Sequence, residues 1–152
     1  MHKVSLDRLC LLRHNLCMRR PIKLLEWHPD AKKRLMELPE AVRREFGHEL
    51  YLIQTGAMPE NASPFEGSQG NDILKLVERF DGDTYRCVFA AKLETAIYVL
   101  HVYMKKANEG KKTPKHIIDT VHRRYAAAKQ ADAATRKAQE ELVKERKQHE
   151  QQ

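Results

Sequence analysis

No apolar run in this chain approaches the roughly 20 residues needed to cross a bilayer. The N-terminal stretch LDRLCLLRHNLCMRRP interrupts its apolar residues with arginines, so it lacks the clean apolar core of a signal peptide. Cysteine is scarce as well. Cys10, Cys17 and Cys87 are odd in number and show no CxxC spacing, which argues against a disulfide framework and against a thiolate zinc site. A soluble cytoplasmic protein with no membrane partner is the expectation. Histidines such as His28, His48, His101, His116 and His122 are scattered and make no HExxH pattern. There is no GxSxG elbow, and no glycine-rich phosphate loop follows a strand. Neither a metal nor a cofactor is therefore expected.

Positive charge is what the chain has in excess. Its 28 Lys and Arg against 21 Asp and Glu give a formal net charge of +7, a balance that favours nucleic acid, an anionic membrane surface or an acidic protein as partner. The excess is localised. The first 25 residues hold Lys3, Arg8, Arg13, Arg19, Arg20 and Lys23 against Asp7 alone, and Tyr98 to Ala128 is similarly basic. A hydrophobic fraction of 41% supplies a modest core, enough for one domain and not for two.

Residues 1–20 read as a basic, weakly ordered extension, either an amphipathic arm or the product of an upstream start. Residues 21–130 read as the folded domain. Ile22–Trp27 is a short strand candidate, and Pro29 suits the first turn of a helix carrying Ala31, Leu35 and Leu38 on one face. Pro39 starts a second helix with Val42, Phe46, Leu50 and Ile53 at helical spacing, closed by Gly56. Ala57 to Asp72 turns to Pro, Gly, Ser and Asn, the composition of a loop. Three strands are expected over Ile73–Phe80, Thr84–Lys92 and Thr95–Met104, joined tightly enough to pair antiparallel. Strict alternation in the last would put Tyr98, Leu100, Val102 and Met104 on one face, and Ile97, Val99, His101, Tyr103 and Lys105 on the other. Thr113 is expected as N-cap and Pro114 as N1 of a final helix packed through Ile117, Ile118, Val121 and Tyr125. Residues 131–152 are helix-prone but polar all round. The fold class is α+β: a small antiparallel sheet with an N-terminal αα-hairpin, a C-terminal helix and a long polar helical tail.

Basic and hydroxyl groups on adjacent strands carry the candidate chemistry. Metal-free RNA cleavage needs a base for the 2′-OH proton, a cation for charge developing on the phosphate, and an acid for the leaving 5′-oxygen. Arg86, on the middle strand, suits the second task because its guanidinium is permanently charged and grips phosphate bidentately. Lys105 and Lys106, ending the last strand beside Tyr103, can hold phosphate or transfer protons, and His101 titrates near neutrality. Glu78 and Arg79 lie on the preceding strand, while Lys111, Lys112 and Lys115 extend the basic patch as RNA contacts. Each has a plainer reading: the lysines as a solvated strand end, His101 as a hydrogen-bonded core residue, Arg86 as one half of a structural pair.

The run GDTYRCVFAAKLETAIYVLHVYMKKANEGKKTPKH closely resembles the phage-derived, HigB-like branch of the RelE/ParE toxin superfamily. The helix from Pro39 to Glu45, the Pro64-Phe65-Glu66-Gly67 loop and Trp27 share the likeness, which covers about Pro21 to Lys129. It implies a small α+β toxin of a type II toxin–antitoxin system, whose RelE-like members cleave mRNA in the ribosomal A site without metal. It also implies a cognate antitoxin, often of helix-turn-helix type. The family's phosphate-handling residues correspond by position to Arg86 and to Lys105 or Lys106. Phe89 stands where many relatives have tyrosine, and only Tyr125 is available for the tyrosine of the C-terminal helix. Two other functions fit the same likeness: inhibition of DNA gyrase by binding, as in ParE-like members, and non-catalytic binding of RNA or ribosomes.

Overall fold

A computed structural model describes residues 21–106 and 110–150; the N-terminal extension expected over residues 1–20 lies outside this range. In chain order the elements are β1 (Leu24–Trp27), α1 (Pro29–Glu37), α2 (Glu40–Gln54), β2 (Ala62–Pro64), β3 (Leu74–Phe80), β4 (Asp83–Ala90), β5 (Ala96–Lys105) and α3 (Lys115–Glu150). The strands form one sheet in the order β1-β5-β4-β3-β2. As expected, β3, β4 and β5 pair antiparallel, while β1 joins the edge of β5 in parallel. The α+β class stands, with an αα-hairpin on one face of the sheet and α3 on the other.

Local chemistry explains the boundaries. The His28 ring Nδ1 accepts the Asp30 N–H at 3.3 Å and caps α1. Gly56, at φ 92°, follows α2, with Gly56 N–H donating to Ile53 O and Ala57 N–H to Leu52 O, both at 3.0 Å. This is the Schellman arrangement that a glycine favours. Asp81 (φ 50°) and Gly82 (φ 81°) form the two-residue turn between β3 and β4, where both central residues need positive φ.

Two cores share the sheet. Val42, Phe46 and Leu50 of α2 pack with Leu76, Tyr85, Cys87, Phe89, Ile97, Val99 and Val102. On the opposite face Val121 and Ala128 of α3 pack with Phe65, Ile73, Val88, Leu100 and Tyr103. Burying a large side chain such as Phe46 contributes roughly 1.5–3 kcal/mol, so this double burial is what holds a central sheet between helices.

Three expectations change. The segment from Ala57 to Asp72 is not all loop, because Ala62–Pro64 pairs with Leu74–Leu76 as an edge strand on which Pro64 is tolerated. Strict alternation in β5 fails: Val88 faces His101 while Phe89 faces Val99, leaving Leu100 as a bulge. Ile97 and Val99 therefore share the α1–α2 core with Val102, and Leu100 shares the α3 core with Tyr103. Finally, α3 starts at Lys115 and accepts its first bonds at Pro114 O, so Thr113 is not its side-chain cap.

Gly67 sits at φ +78° in the turn before β3, and a Cβ there would lie 3.2 Å from Ile118 Cγ2 of α3. Gly67→Ala combines left-handed strain with a steric conflict, and an expected loss of roughly 1–2 kcal/mol should appear as a lower midpoint in urea unfolding.

Candidate functional site

Pairing registers bring nine side chains to one patch of the α3 face. The first row is Lys75, Val88 and His101, the second Val77, Arg86 and Tyr103, the third Arg79, Thr84 and Lys105. Because α3 begins at Lys115 and packs toward Ile73, Leu100 and Ala90, it covers one end of this face. The Arg86 end stays open.

Arg86 is the centre of that end. One guanidinium nitrogen lies 3.4 Å from Tyr103 Oη and 3.3 Å from Thr113 Oγ1, both neutral groups at long hydrogen-bond range. Its Nε is buried without a partner, and its Cζ stands 6.0 Å from the centre of the Tyr103 ring. Among the described residues no carboxylate lies within ion-pair distance of Arg86. A charge on a central strand normally acquires such a partner.

Lys105 is buried on the same face and donates to Lys112 O at 3.3 Å. Lys106, directly after the strand, is exposed, as are Lys111, Lys112 and Lys115 around the start of α3. Arg79 is exposed at the outer row, whereas Glu78 alternates to the opposite face and accepts from Asn61 Nδ2 at 2.6 Å.

Sequence reasoning missed Lys75, Glu66 and Thr113. The Lys75 ammonium lies 3.7 Å from Glu66 Oε1, and Glu66 Oε2 accepts the Thr113 N–H at 2.8 Å. Burial first, then Arg86, lowers the Lys75 pKa below the ordinary lysine value, with Lys105 adding to the effect and Glu66 opposing it. The hydrogen bond from the Thr113 backbone holds Glu66 below its ordinary value, with the cations of Lys75 and Arg86 helping. The only signal for Lys75 was its position, two residues before Val77, on the face shared with Arg86. Glu66 stands in a loop, and its contact with Thr113 spans 47 positions of sequence, so its role gave none. Phe89 is buried in the opposite core, so a tyrosine there would not bring its hydroxyl to this patch. Tyr125 packs beside Ile73 and Val121, with Lys129 Nζ 4.9 Å from its ring.

His101 stacks on Tyr103 with ring centres 5.5 Å apart, and its Nδ1 lies 3.0 Å from Arg124 Nη1. Burial, followed by the charges of Arg124 and Arg34, lowers its pKa from 6.5 to about 4. The folded protein thus keeps His101 neutral, while the unfolded chain protonates it below about 6.5. Between these values the unfolded state binds more protons, so stability present above pH 6.5 is lost as the pH falls toward 4. After allowance for solvent screening the loss is of order 2 kcal/mol. Urea unfolding at pH 7.5 and at pH 5 should show it, and His101→Gln should flatten that dependence.

Over residues 33–126 the sequence matches the family described as phage derived protein Gp49-like. The chain belongs to that family. The Gp49-like match spans α2, all of β2 to β5 and the first third of α3, and so contains every residue of the Arg86 patch. The match agrees with the phage-derived, RelE-type resemblance of the sequence. No curated protein matches the chain. Among solved structures, a free E. coli toxin RelE carrying two arginine-to-alanine changes is 19% identical, covers 68% of this chain and 97% of its own, and has a TM-score of 0.48. The intact E. coli RelBE toxin–antitoxin complex gives 22% identity, 57% and 99% coverage and a TM-score of 0.43. The isolated E. coli RelE toxin gives 21%, 66% and 97%, and 0.41. The Gp49-like chain has no described helix long and apolar enough to cross a membrane.

Proposed function

We propose that this chain is the toxin of a type II toxin–antitoxin pair, a metal-independent endoribonuclease that cleaves mRNA on the ribosome in the cytoplasm. The observation that carries the reading is Arg86, a half-buried central-strand guanidinium beside buried Lys105 and half-buried Lys75, with no carboxylate within ion-pair distance among the described residues. Such a pocket is short of an anion, and a phosphodiester supplies one. Membership in the phage-derived family, together with the resemblance to RelE/ParE toxins, supports the toxin role. An antitoxin, of the helix-turn-helix kind often paired with such toxins, is the expected partner.

The chemistry follows from the positions. Arg86 and Lys105 hold the phosphate and stabilise the charge that builds on its oxygens. Lys75 takes the 2′-OH proton, its own proton loosened by burial and by Arg86. The 2′-oxygen then bonds to phosphorus while the bond to the 5′-oxygen breaks. Lys105 returns a proton to that oxygen, leaving a 2′,3′-cyclic phosphate and a 5′-hydroxyl. Arg79, Lys111, Lys112 and Lys115 guide the strand electrostatically, with exposed Lys106 alongside them. His101 acts through the Tyr103 ring it stacks on, as a positioning residue. Induced expression should arrest growth, and mapped mRNA ends should carry 5′-hydroxyls at discrete positions within translated frames. Gyrase inhibition by the purified protein with intact mRNA would move the assignment to the ParE-like mode; salt-sensitive RNA binding without growth arrest would leave only a binding protein.

A further inference from the structure

A second basic cavity lies beside the Arg86 patch, between the start of α1, the end of β5 and the first turns of α3. Its volume is about 550 Å³. Tyr103 and His101 line it, and Tyr103 is also the residue against Arg86. The two sites thus share a wall.

Its charge is not balanced. Asp30 accepts from Arg34 Nε at 3.1 Å and from Arg124 Nη2 at 2.8 Å, so one carboxylate serves two guanidiniums. Arg123, a third arginine of the lining, has no carboxylate within ion-pair distance among the described residues. Three cations against one anion leave an excess of two positive charges. Arg124 is fixed in place, mostly buried and donating also to Leu100 O at 2.9 Å. Fastening α3 to α1 needs only Asp30 and Arg124. The remaining charge and the open volume go beyond that need. Nearby His28 has its pKa lowered by burial and then by Arg124, consistent with positive potential there.

We propose that this cavity is a second phosphate subsite, taking the phosphodiester of the nucleotide next to the one held at Arg86. The proposal rests on the nucleic-acid reading of the Arg86 patch and specifies the substrate as a strand spanning at least two phosphates. Arg34 and Arg123 supply the charge, Arg124 the preorganised floor, and Pro114 with Ile117 an apolar surface for the sugar or base.

Binding of 2′-O-methyl oligoribonucleotides, which keep the phosphates but cannot react through the 2′-oxygen, tests it by fluorescence anisotropy on the full chain. A trinucleotide carries two phosphates and a dinucleotide one. The wild-type protein should bind the trinucleotide roughly tenfold more tightly, the scale of one charge-assisted contact. Arg34→Gln with Arg123→Gln should bring the two lengths within about twofold and reduce the trinucleotide salt slope by about 0.7. Arg86→Ala should weaken both lengths while preserving their ratio. Both substituted arginines are exposed, and thermal unfolding checks that the variant is folded. A length ratio that survives the double substitution overturns the subsite, and so does a wild-type protein indifferent to length. A wild-type protein with the expected ratio that cleaves no mRNA overturns the nuclease reading and leaves the subsite standing.

Discussion

Arg86→Ala should reduce mRNA cleavage by roughly 10²- to 10³-fold, the usual cost of removing one preorganised donor from a developing oxyanion, and abolish growth arrest on induction. The expectation follows from how Arg86 is held. Its neighbours Tyr103 and Thr113 orient it through neutral oxygens without discharging it, so its charge remains available to substrate. Folding should survive the change, because the guanidinium makes no ion pair among the described residues and its Nε is already unsatisfied. The thermal midpoint should therefore stay within a few degrees of wild type while activity collapses. Arg86→Lys keeps the charge but loses the planar fork, and an intermediate rate is expected. Single-turnover cleavage of a translated message, read beside thermal unfolding, separates these effects. An Arg86→Ala protein as toxic as wild type would remove this residue from the mechanism.

The second large effect concerns stability. Asp132 is buried on α3, where one carboxylate oxygen accepts from Thr95 N at 2.7 Å and Thr95 Oγ1 at 2.6 Å, and the other from Glu94 N at 3.1 Å. It thereby satisfies the backbone of the β4–β5 connection, which a buried carboxylate does with charge-assisted bonds. Asp132→Ala leaves two backbone N–H groups without their partner. Each costs about 1–3 kcal/mol when shielded from water, so a total loss of roughly 2–6 kcal/mol is expected in urea unfolding. Asp132→Asn retains the oxygen but not the charge and should lose less. A wild-type unfolding curve for Asp132→Ala would mean that water replaces the carboxylate at that turn.

Most of the fold was legible because its signals are local. Pro29 and Pro39 mark helix starts, Asp81-Gly82 marks the hairpin, and the apolar spacing of Val42, Phe46, Leu50 and Ile53 matches the buried face of α2. The bulge was not legible, since β5 is apolar on both faces through its middle and alternation has no contrast there. β2 was hidden by its composition: Ala-Ser-Pro becomes a strand only because β3 offers it an edge. For the site, Arg86 announced itself as a charge inside an apolar strand. Lys75 did not, because what matters about it is burial and the nearness of Glu66 and Arg86, which arise from pairing and from a loop packed against Thr113. The second basic cavity is similarly non-local, joining Asp30 to Arg124 across 94 positions of sequence.

The unpartnered Leu100 makes the placement of the basic residues a matter of counting. With Leu100 and His101 both toward α3 the alternation changes phase there, so Tyr103 and Lys105 face α3 and do not share the side of Ile97 and Val99. Were the same residues to alternate without the bulge, Tyr103 and Lys105 would turn toward α2 and Val102 would come under α3. Substitutions along this stretch can be absorbed one at a time by repacking. Deleting Leu100 would instead straighten the strand, leave Tyr103 and Lys105 on the α3 side and take one side chain from the core beneath that helix, so the surplus residue is a packing element as well as a change of phase.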